Sequence, residues 1–200
     1  MADEKEERVI PYKIGLISTH GTGKTTLAHE LVSSFKKRGY KARGITEIAT
    51  IFREEGFPIN EGTKLNVQFA ILNTQMSEEQ KITLRKYKII ITDRTVYDNL
   101  QYLERECGKK DWIRDMVLNY AKEFPYNAIY RLPMVGTLQE DGIRSTNDEF
   151  QKDIDLMLTK FLEENKIPHQ VLPDPKTEFR TEWIEFIVKD TLEKLEGIPR

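Results

Sequence analysis

The chain has 200 residues, 38% hydrophobic and 32% charged, which is enough apolar material for one core beneath a solvated surface. Its net charge of -2 gives no strong signal for nucleic acid or an anionic membrane, and no apolar run is long enough to span a bilayer. The single cysteine, Cys107, excludes an internal disulfide and a cysteine metal cluster and is typical of a cytoplasmic protein.

The first residues, "MADEKEER", are charged and lack the apolar core of a signal peptide. We therefore expect a flexible tail over residues 1–10 and a single folded domain over residues 11–200. The sequence leaves the oligomeric state open.

The predicted elements alternate between strands and helices along the chain. Short apolar runs predict strands at 12–18, 40–47, 87–93, 126–132 and 169–172. Helical spacing of apolar residues predicts helices at 24–38, 48–55, 63–85, 95–105, 112–124, 148–164 and 177–195. This alternation favours an α/β fold with a parallel sheet covered on both faces, whose ligands bind beyond the carboxyl ends of the strands.

A glycine-containing loop, "STHGTGKTT", follows the first predicted strand. It matches the end of the phosphate-loop pattern G-x-x-x-x-G-K-[ST], although Ser18 stands where the first glycine is expected. Backbone N–H groups of such a loop, the following helix start and Lys24 can together bind a polyphosphate. The alternative is a plain strand-to-helix turn. We assign nucleotide binding to Ser18, His20, Gly21, Thr22, Gly23, Lys24, Thr25 and Thr26.

Acidic and basic residues follow the next two predicted strands. Asp93 is a candidate for holding Mg²⁺, together with the Thr25 hydroxyl, and its alternative role is to cap the following helix. Glu47 is the candidate general base, unless it is a solvated residue in the first turn of a helix. Arg94, beside Asp93, is predicted to orient a substrate or a phosphate.

The long predicted loop at 133–147 contains Arg144, which could close over a transferring phosphoryl group or pair with a nearby aspartate on the surface. Arg53 is a weaker candidate, because an ion pair on a helix surface explains it equally well. Gln68 and Gln75 lie on one face of the long helix and could contact a base or solvent. We expect Trp112 and Trp183 to be core residues.

Four segments, taken in order, resemble the P-loop kinase-like family: "STHGTGKTTLA", "TEIATIFREEG", "TDRTVYDNLQYL" and "QEDGIRSTNDEFQKDIDLMLTKFLEENKIPH". In particular the chain resembles the AAA-like ATP-binding domain related to the ribosylnicotinamide-kinase domain. The Asp93-Arg94 step is also similar to that of thymidylate and deoxynucleoside kinases.

This resemblance implies a three-layer P-loop NTPase fold with a five-stranded parallel sheet and a lid around residues 136–147. It implies phosphoryl transfer from ATP with Mg²⁺, with Lys24, Glu47, Asp93, Arg94 and Arg144 as the catalytic residues. The acceptor would be a nucleoside, a nucleotide or a similar small molecule. A nucleotide-dependent switch or a slow NTPase acting through a protein partner is the alternative. The chain has no N-K-x-D segment after the fourth strand, which favours adenine over guanine.

Overall fold

A computed structural model describes residues 10–134, 148–175 and 180–197. The predicted N-terminal tail, nearly all of the long loop and the predicted lid with Arg144 lie outside these described residues.

Five parallel strands form the sheet, as the alternating pattern predicts. They are β1 (Tyr12–Ile17), β2 (Ala42–Ile45), β3 (Ile89–Asp93), β4 (Ala128–Arg131) and β5 (Gln170–Val171). Their order across the sheet is β2-β3-β1-β4-β5, so the first strand lies in the middle. In the register of β1 with β3, Leu16 lies beside Asp93, which brings the carboxyl ends of these two strands to one edge.

Helices cover both faces of the sheet and give three layers. They are α1 (Lys24–Lys37), α2 (Ile48–Glu54), α3 (Leu65–Thr83), α4 (Val96–Cys107), α5 (Asp111–Glu123), α6 (Asp148–Glu164) and α7 (Thr181–Glu196). On one face, α1 and α7 pack through Phe35 and Ile187 against β1 and β3. On the other face α4, α5 and α6 share a core with Ile17, while α2 and α3 pack near Ile45.

The element boundaries differ from the predicted ones mostly by a few residues at the ends. The strand predicted at 40–47 pairs with β3 only from Ala42 to Ile45. Glu47 therefore lies beyond the strand, at the N-cap position of α2. Trp183 is buried, as expected, but Trp112 is 58% exposed and is not a core residue, contrary to our expectation. None of the described helices combines the length and apolarity that a membrane span requires.

Candidate nucleotide and acceptor site

The glycine loop connects β1 directly to α1 at the carboxyl edge of the sheet. Gly21 has φ 76° and Gly23 has φ 83°, a left-handed conformation that favours glycine. Ser18 is absent from the described residues with positive φ, so its backbone does not require glycine. Its N–H donates to the Asp98 carboxylate at 3.1 Å, and its hydroxyl is hydrogen-bonded to that of Thr22. The departure from the usual motif is therefore compatible with the shape of the loop.

Lys24 begins α1, and its side chain lies across the glycine loop. Its Nζ donates to the carbonyl oxygens of Ser18 at 3.0 Å and Thr19 at 2.5 Å. Burial, reinforced by the positive charge of Arg94, lowers the pKa of Lys24 to about 8, against the opposing effect of three nearby carboxylates. The ammonium form still predominates at neutral pH, so the loop keeps its positive charge.

Asp93 ends β3 with its carboxylate buried in the site. Both carboxylate oxygens lack a hydrogen bond of good geometry to the described residues, although the Thr25 hydroxyl is close enough to favour the charged form. Burial, followed by repulsion from Glu47, raises the pKa of Asp93, while Lys24, Thr25 and Arg94 oppose that shift. A buried carboxylate with so few hydrogen bonds can accept a positively charged ligand.

The alternative role of Asp93, as the cap of the next helix, is wrong. Thr95 caps α4 itself, because its hydroxyl accepts hydrogen bonds from the backbone N–H groups of Tyr97 and Asp98. Asp98 in turn accepts from the backbone N–H of Thr95 at 2.7 Å, which completes a capping box. Asp93 is thus left out of the capping arrangement.

Arg94 and Glu47 form a buried ion pair next to Asp93. The Nε and Nη2 atoms of Arg94 each lie 2.6 Å from Oε1 of Glu47. Burial is the largest single influence and works against the charge of Arg94, but Glu47, Tyr102 and Asp98 together outweigh it, so the pKa of Arg94 is raised. The Arg94 backbone has φ 100°, an unusual conformation for a residue with a side chain and one that concentrates at functional sites. Glu47 is therefore not the solvated glutamate of the alternative hypothesis.

Tyr102 and Asp98, both from α4, join these parts, and neither was identified from the sequence. The Tyr102 hydroxyl accepts a hydrogen bond from the backbone N–H of His20 at 3.0 Å, and its ring lies 4.3 Å from the guanidinium carbon of Arg94. Asp98 holds the N–H of Ser18. The pattern Thr95-x-x-Asp98 could have revealed the capping box, but nothing in the sequence links α4 to the glycine loop.

A narrow pocket lies between the glycine loop and α3. It is lined by Glu47, Gln68, Arg94, Asn99 and Tyr102, among others. Gln68 is buried and donates to the carbonyl of Ile59 at 3.0 Å, whereas the side-chain nitrogen of Asn99 has no partner among the described residues. The volume of about 10 Å³ holds about one water molecule, so a larger ligand requires the pocket to widen.

Other predicted residues lie outside this pocket or at its edge. Gln75 is buried, but its amide donates to Glu79 at 2.9 Å and to the carbonyl of Arg94 at 3.3 Å, so it supports the site from behind. Thr26 and Arg53 are exposed. Arg144 lies outside the described residues.

The residues at the loop fit a hydrated Mg²⁺ ion. The buried carboxylate of Asp93 and the nearby hydroxyl of Thr25 are oxygen donors of the kind that Mg²⁺ prefers. No group of three or more histidine, cysteine, aspartate or glutamate side chains that could hold a metal occurs in the described ranges. Mg²⁺ itself commonly takes only one or two protein carboxylates and draws its other ligands from water and phosphate.

Comparison with known proteins identifies the family of the chain. A family model described as an AAA domain matches residues 13–180. The chain belongs to this AAA domain family. No curated protein matches its sequence significantly. Membership of the family agrees with the P-loop kinase-like resemblance seen in the sequence.

Solved structures confirm the fold of this AAA domain. A NadR protein in complex with NAD and AMP-PNP is similar with a TM-score of 0.69 and 15% identity, over 96% of this chain and 51% of the other. A NadR protein in complex with NR gives 0.72 and 16%, over 96% and 53%. The deoxyadenosine kinase from M. mycoides with dCMP and dCDP gives 0.61 and 18%, over 93% and 100%. The chain spans about half the length of the two NadR proteins, and its fold is the five-stranded α/β fold of P-loop kinases.

Proposed function

We propose that the protein transfers the terminal phosphoryl group of ATP to a hydroxyl of a nucleoside, a nucleotide or a similar small molecule. The observation that carries this proposal is the buried Glu47–Arg94 ion pair beside the glycine loop, next to a pocket. A protein that only bound a nucleotide would need Lys24 and the loop. It would not need a carboxylate and a guanidinium that line a neighbouring pocket. The neighbouring structures hold NAD, NR or dCMP, which fits a nucleoside-like acceptor.

The donor side is supported by the loop and by Lys24. The backbone N–H groups of the loop and the start of α1 would bind the phosphate chain. The ammonium of Lys24 would neutralise charge on the transferring phosphoryl group. Thr25 and Asp93 would hold Mg²⁺, which when bound neutralises phosphate charge. We take adenine as the donor base because the sequence lacks the guanine-reading segment and one neighbour holds AMP-PNP.

The acceptor side is supported by Glu47 and Arg94. Arg94 donates to Oε1 of Glu47, while Oε2 accepts a hydrogen bond from the Thr50 hydroxyl at 3.3 Å. Glu47 would orient the acceptor hydroxyl and take its proton. Phosphoryl transfer passes through a loose transition state and depends mainly on positioning and charge neutralisation, so a carboxylate held by an arginine suffices as the base. Arg144, in the predicted lid, would neutralise charge on the transferring phosphoryl group.

We also propose a cytoplasmic location, because a single cysteine suits a reducing compartment.

A second candidate is a slow NTPase or a nucleotide-dependent switch that acts through a protein partner. The narrowness of the pocket beside Glu47 favours it, because about 10 Å³ admits water more readily than a nucleoside. The two candidates differ in whether an added acceptor increases turnover.

The test measures ADP release from ATP and Mg²⁺ with a panel of nucleosides and monophosphates. A kinase releases ADP faster with one acceptor, whereas a switch or slow NTPase shows turnover that no acceptor changes. In the kinase, Glu47→Gln lowers acceptor-dependent turnover by about 10²-fold or more and preserves ATP affinity, because the base is lost and the phosphate loop is intact.

Glu54→Gln is the matched control, because Glu54 is an exposed glutamate of α2, the helix that follows Glu47. It should leave turnover unchanged. If Glu47→Gln is folded, as judged by its thermal melt, and turns over as fast as the wild type, Glu47 is not the base.

A further inference from the structure

Arg180 is distant from the glycine loop in sequence, but its side chain lies directly on the loop. Its guanidinium contacts Gly23 so closely that a Cβ added at Gly23 would overlap Nη1 of Arg180. Gly23 immediately precedes Lys24 and provides the last peptide before α1. Arg180 therefore brings a second positive charge to the loop, beside the last residue before Lys24.

Local structure does not account for this arrangement. Arg180 occupies the N-cap position of α7, but its side chain makes no capping hydrogen bond. Within the described part of the chain its guanidinium forms no ion pair, and its one aromatic neighbour is the ring of Trp183, whose centroid lies 5.2 Å from the guanidinium carbon. The half-buried guanidinium, which can offer five N–H donors, thus lies against the loop without an anionic partner among the described residues.

The backbone of Arg180 is also unusual. It has φ 51° and ψ 33°, a left-handed conformation, whereas N-cap residues normally adopt extended angles. Such a conformation is strained for a residue with a side chain, and residues of this kind cluster at ligand-binding sites. Here the conformation starts α7 with the Arg180 side chain on Gly23.

We propose that Arg180 binds the phosphate chain of the donor nucleotide at the glycine loop. This inference rests on the proposed ATP-dependent function and adds a binding residue to it. A guanidinium presents paired N–H donors that match two phosphate oxygens, which the point charge of a lysine does not. Lys24 and Arg180 would then both bind the polyphosphate at the same loop.

The experiment measures the binding of ATP, inorganic tripolyphosphate and adenosine to the whole chain by calorimetry with Mg²⁺. Arg180→Ala should weaken ATP and tripolyphosphate alike, by about tenfold, and leave adenosine unchanged. Arg180→Lys should recover only part of the loss, because it keeps the charge and lacks the fork. Lys189→Ala, which removes an exposed positive charge from the same helix, is the control and should bind as the wild type does.

Two results would overturn the inference while the proposed function stands. In one, wild type and Arg180→Ala bind ATP equally, and Arg180 then only packs on Trp183. In the other, Arg180→Ala weakens ATP but not tripolyphosphate, which shows that Arg180 contacts the base. If wild type binds neither ATP nor tripolyphosphate at millimolar concentration, the proposed function fails together with this inference. Circular dichroism of Arg180→Lys and Arg180→Ala identifies any loss of folding.

Discussion

Lys24 shows how a single side chain is adapted to a highly charged ligand. It is only 5% exposed, and burial together with Arg94 lowers its pKa to about 8, while three carboxylates keep it charged at neutral pH. Without a phosphate its Nζ is satisfied by the carbonyl oxygens of Ser18 and Thr19. A triphosphate offers stronger, charge-assisted acceptors in place of these carbonyls.

Lys24→Ala should therefore weaken ATP binding at least tenfold, since charge-assisted contacts contribute roughly 1.5–3 kcal/mol each. Calorimetry with Mg²⁺ at neutral pH measures this loss. Lys37→Ala, at the exposed end of the same helix, should change the affinity little. Equal ATP affinity in Lys24→Ala and wild type would show that the loop does not bind phosphate through this lysine.

At the scale of elements, Glu79 joins one helix to the sheet behind the site. It is fully buried in α3 and accepts hydrogen bonds from Lys13 in β1 at 2.9 Å and from the Tyr120 and Tyr126 hydroxyls at 3.0 and 2.7 Å. Gln75 donates both to Glu79 and to the carbonyl of Arg94. The unusual backbone of Arg94 is thus held by a buried network that spans β1, α3 and α5.

Glu79→Gln should destabilise the fold strongly, because it leaves the buried ammonium of Lys13 without its counter-charge. Breaking a buried pair in this way costs about 3–5 kcal/mol, which urea denaturation measures directly. The adjacent Glu78→Gln removes an exposed pair with Lys81, and should cost less than about 1 kcal/mol. Similar losses in the two variants would contradict a structural role for the network.

The sequence predicts the elements well because β1 and β3 are fully buried, largely apolar runs and most helices have an apolar face. Asp93 was placed correctly because it directly follows such a run, and β3 does end there. The order of the strands could not be predicted, since it depends on where each crossover packs. The contacts of Ser18 with Asp98 and of Gly23 with Arg180 were missed because tertiary packing alone joins them. The prediction for Trp112 was wrong because a helical pattern does not show which face of α5 packs against the core, and Trp112 is largely exposed to solvent.

For the whole molecule, the glycine loop is a junction of several elements. β1 and α1 contain it, α4 holds it through Asp98 and Tyr102, and α6 reaches it through Gln151, whose amide donates to the His20 carbonyl at 2.7 Å. α7 contacts it through Arg180. A ligand bound at the loop is therefore coupled to much of the described fold.

ATP with Mg²⁺ should accordingly stabilise the entire protein. At a concentration of 100 times Kd, binding adds about 2.7 kcal/mol to the free energy of unfolding. For a chain of this size that corresponds to a rise in Tm of about 5–10 °C. Scanning calorimetry measures the rise, which should shrink when EDTA removes Mg²⁺. In Lys24→Ala, whose ATP affinity should be at least tenfold lower, the rise at the same ATP concentration should fall to about half or less. An unchanged Tm in the wild type would contradict nucleotide binding.

The contrasting positions of the two tryptophans have a practical consequence. Trp183 is buried, donates to the carbonyl of Pro173 at 2.9 Å and lies beside Arg180 at the glycine loop, whereas Trp112 is open to solvent on α5. Their fluorescence should therefore differ in colour and in access to soluble quenchers. Replacing Trp112 with Phe would leave one indole as an intrinsic optical reporter, placed where movement of the neighbouring guanidinium alters its emission.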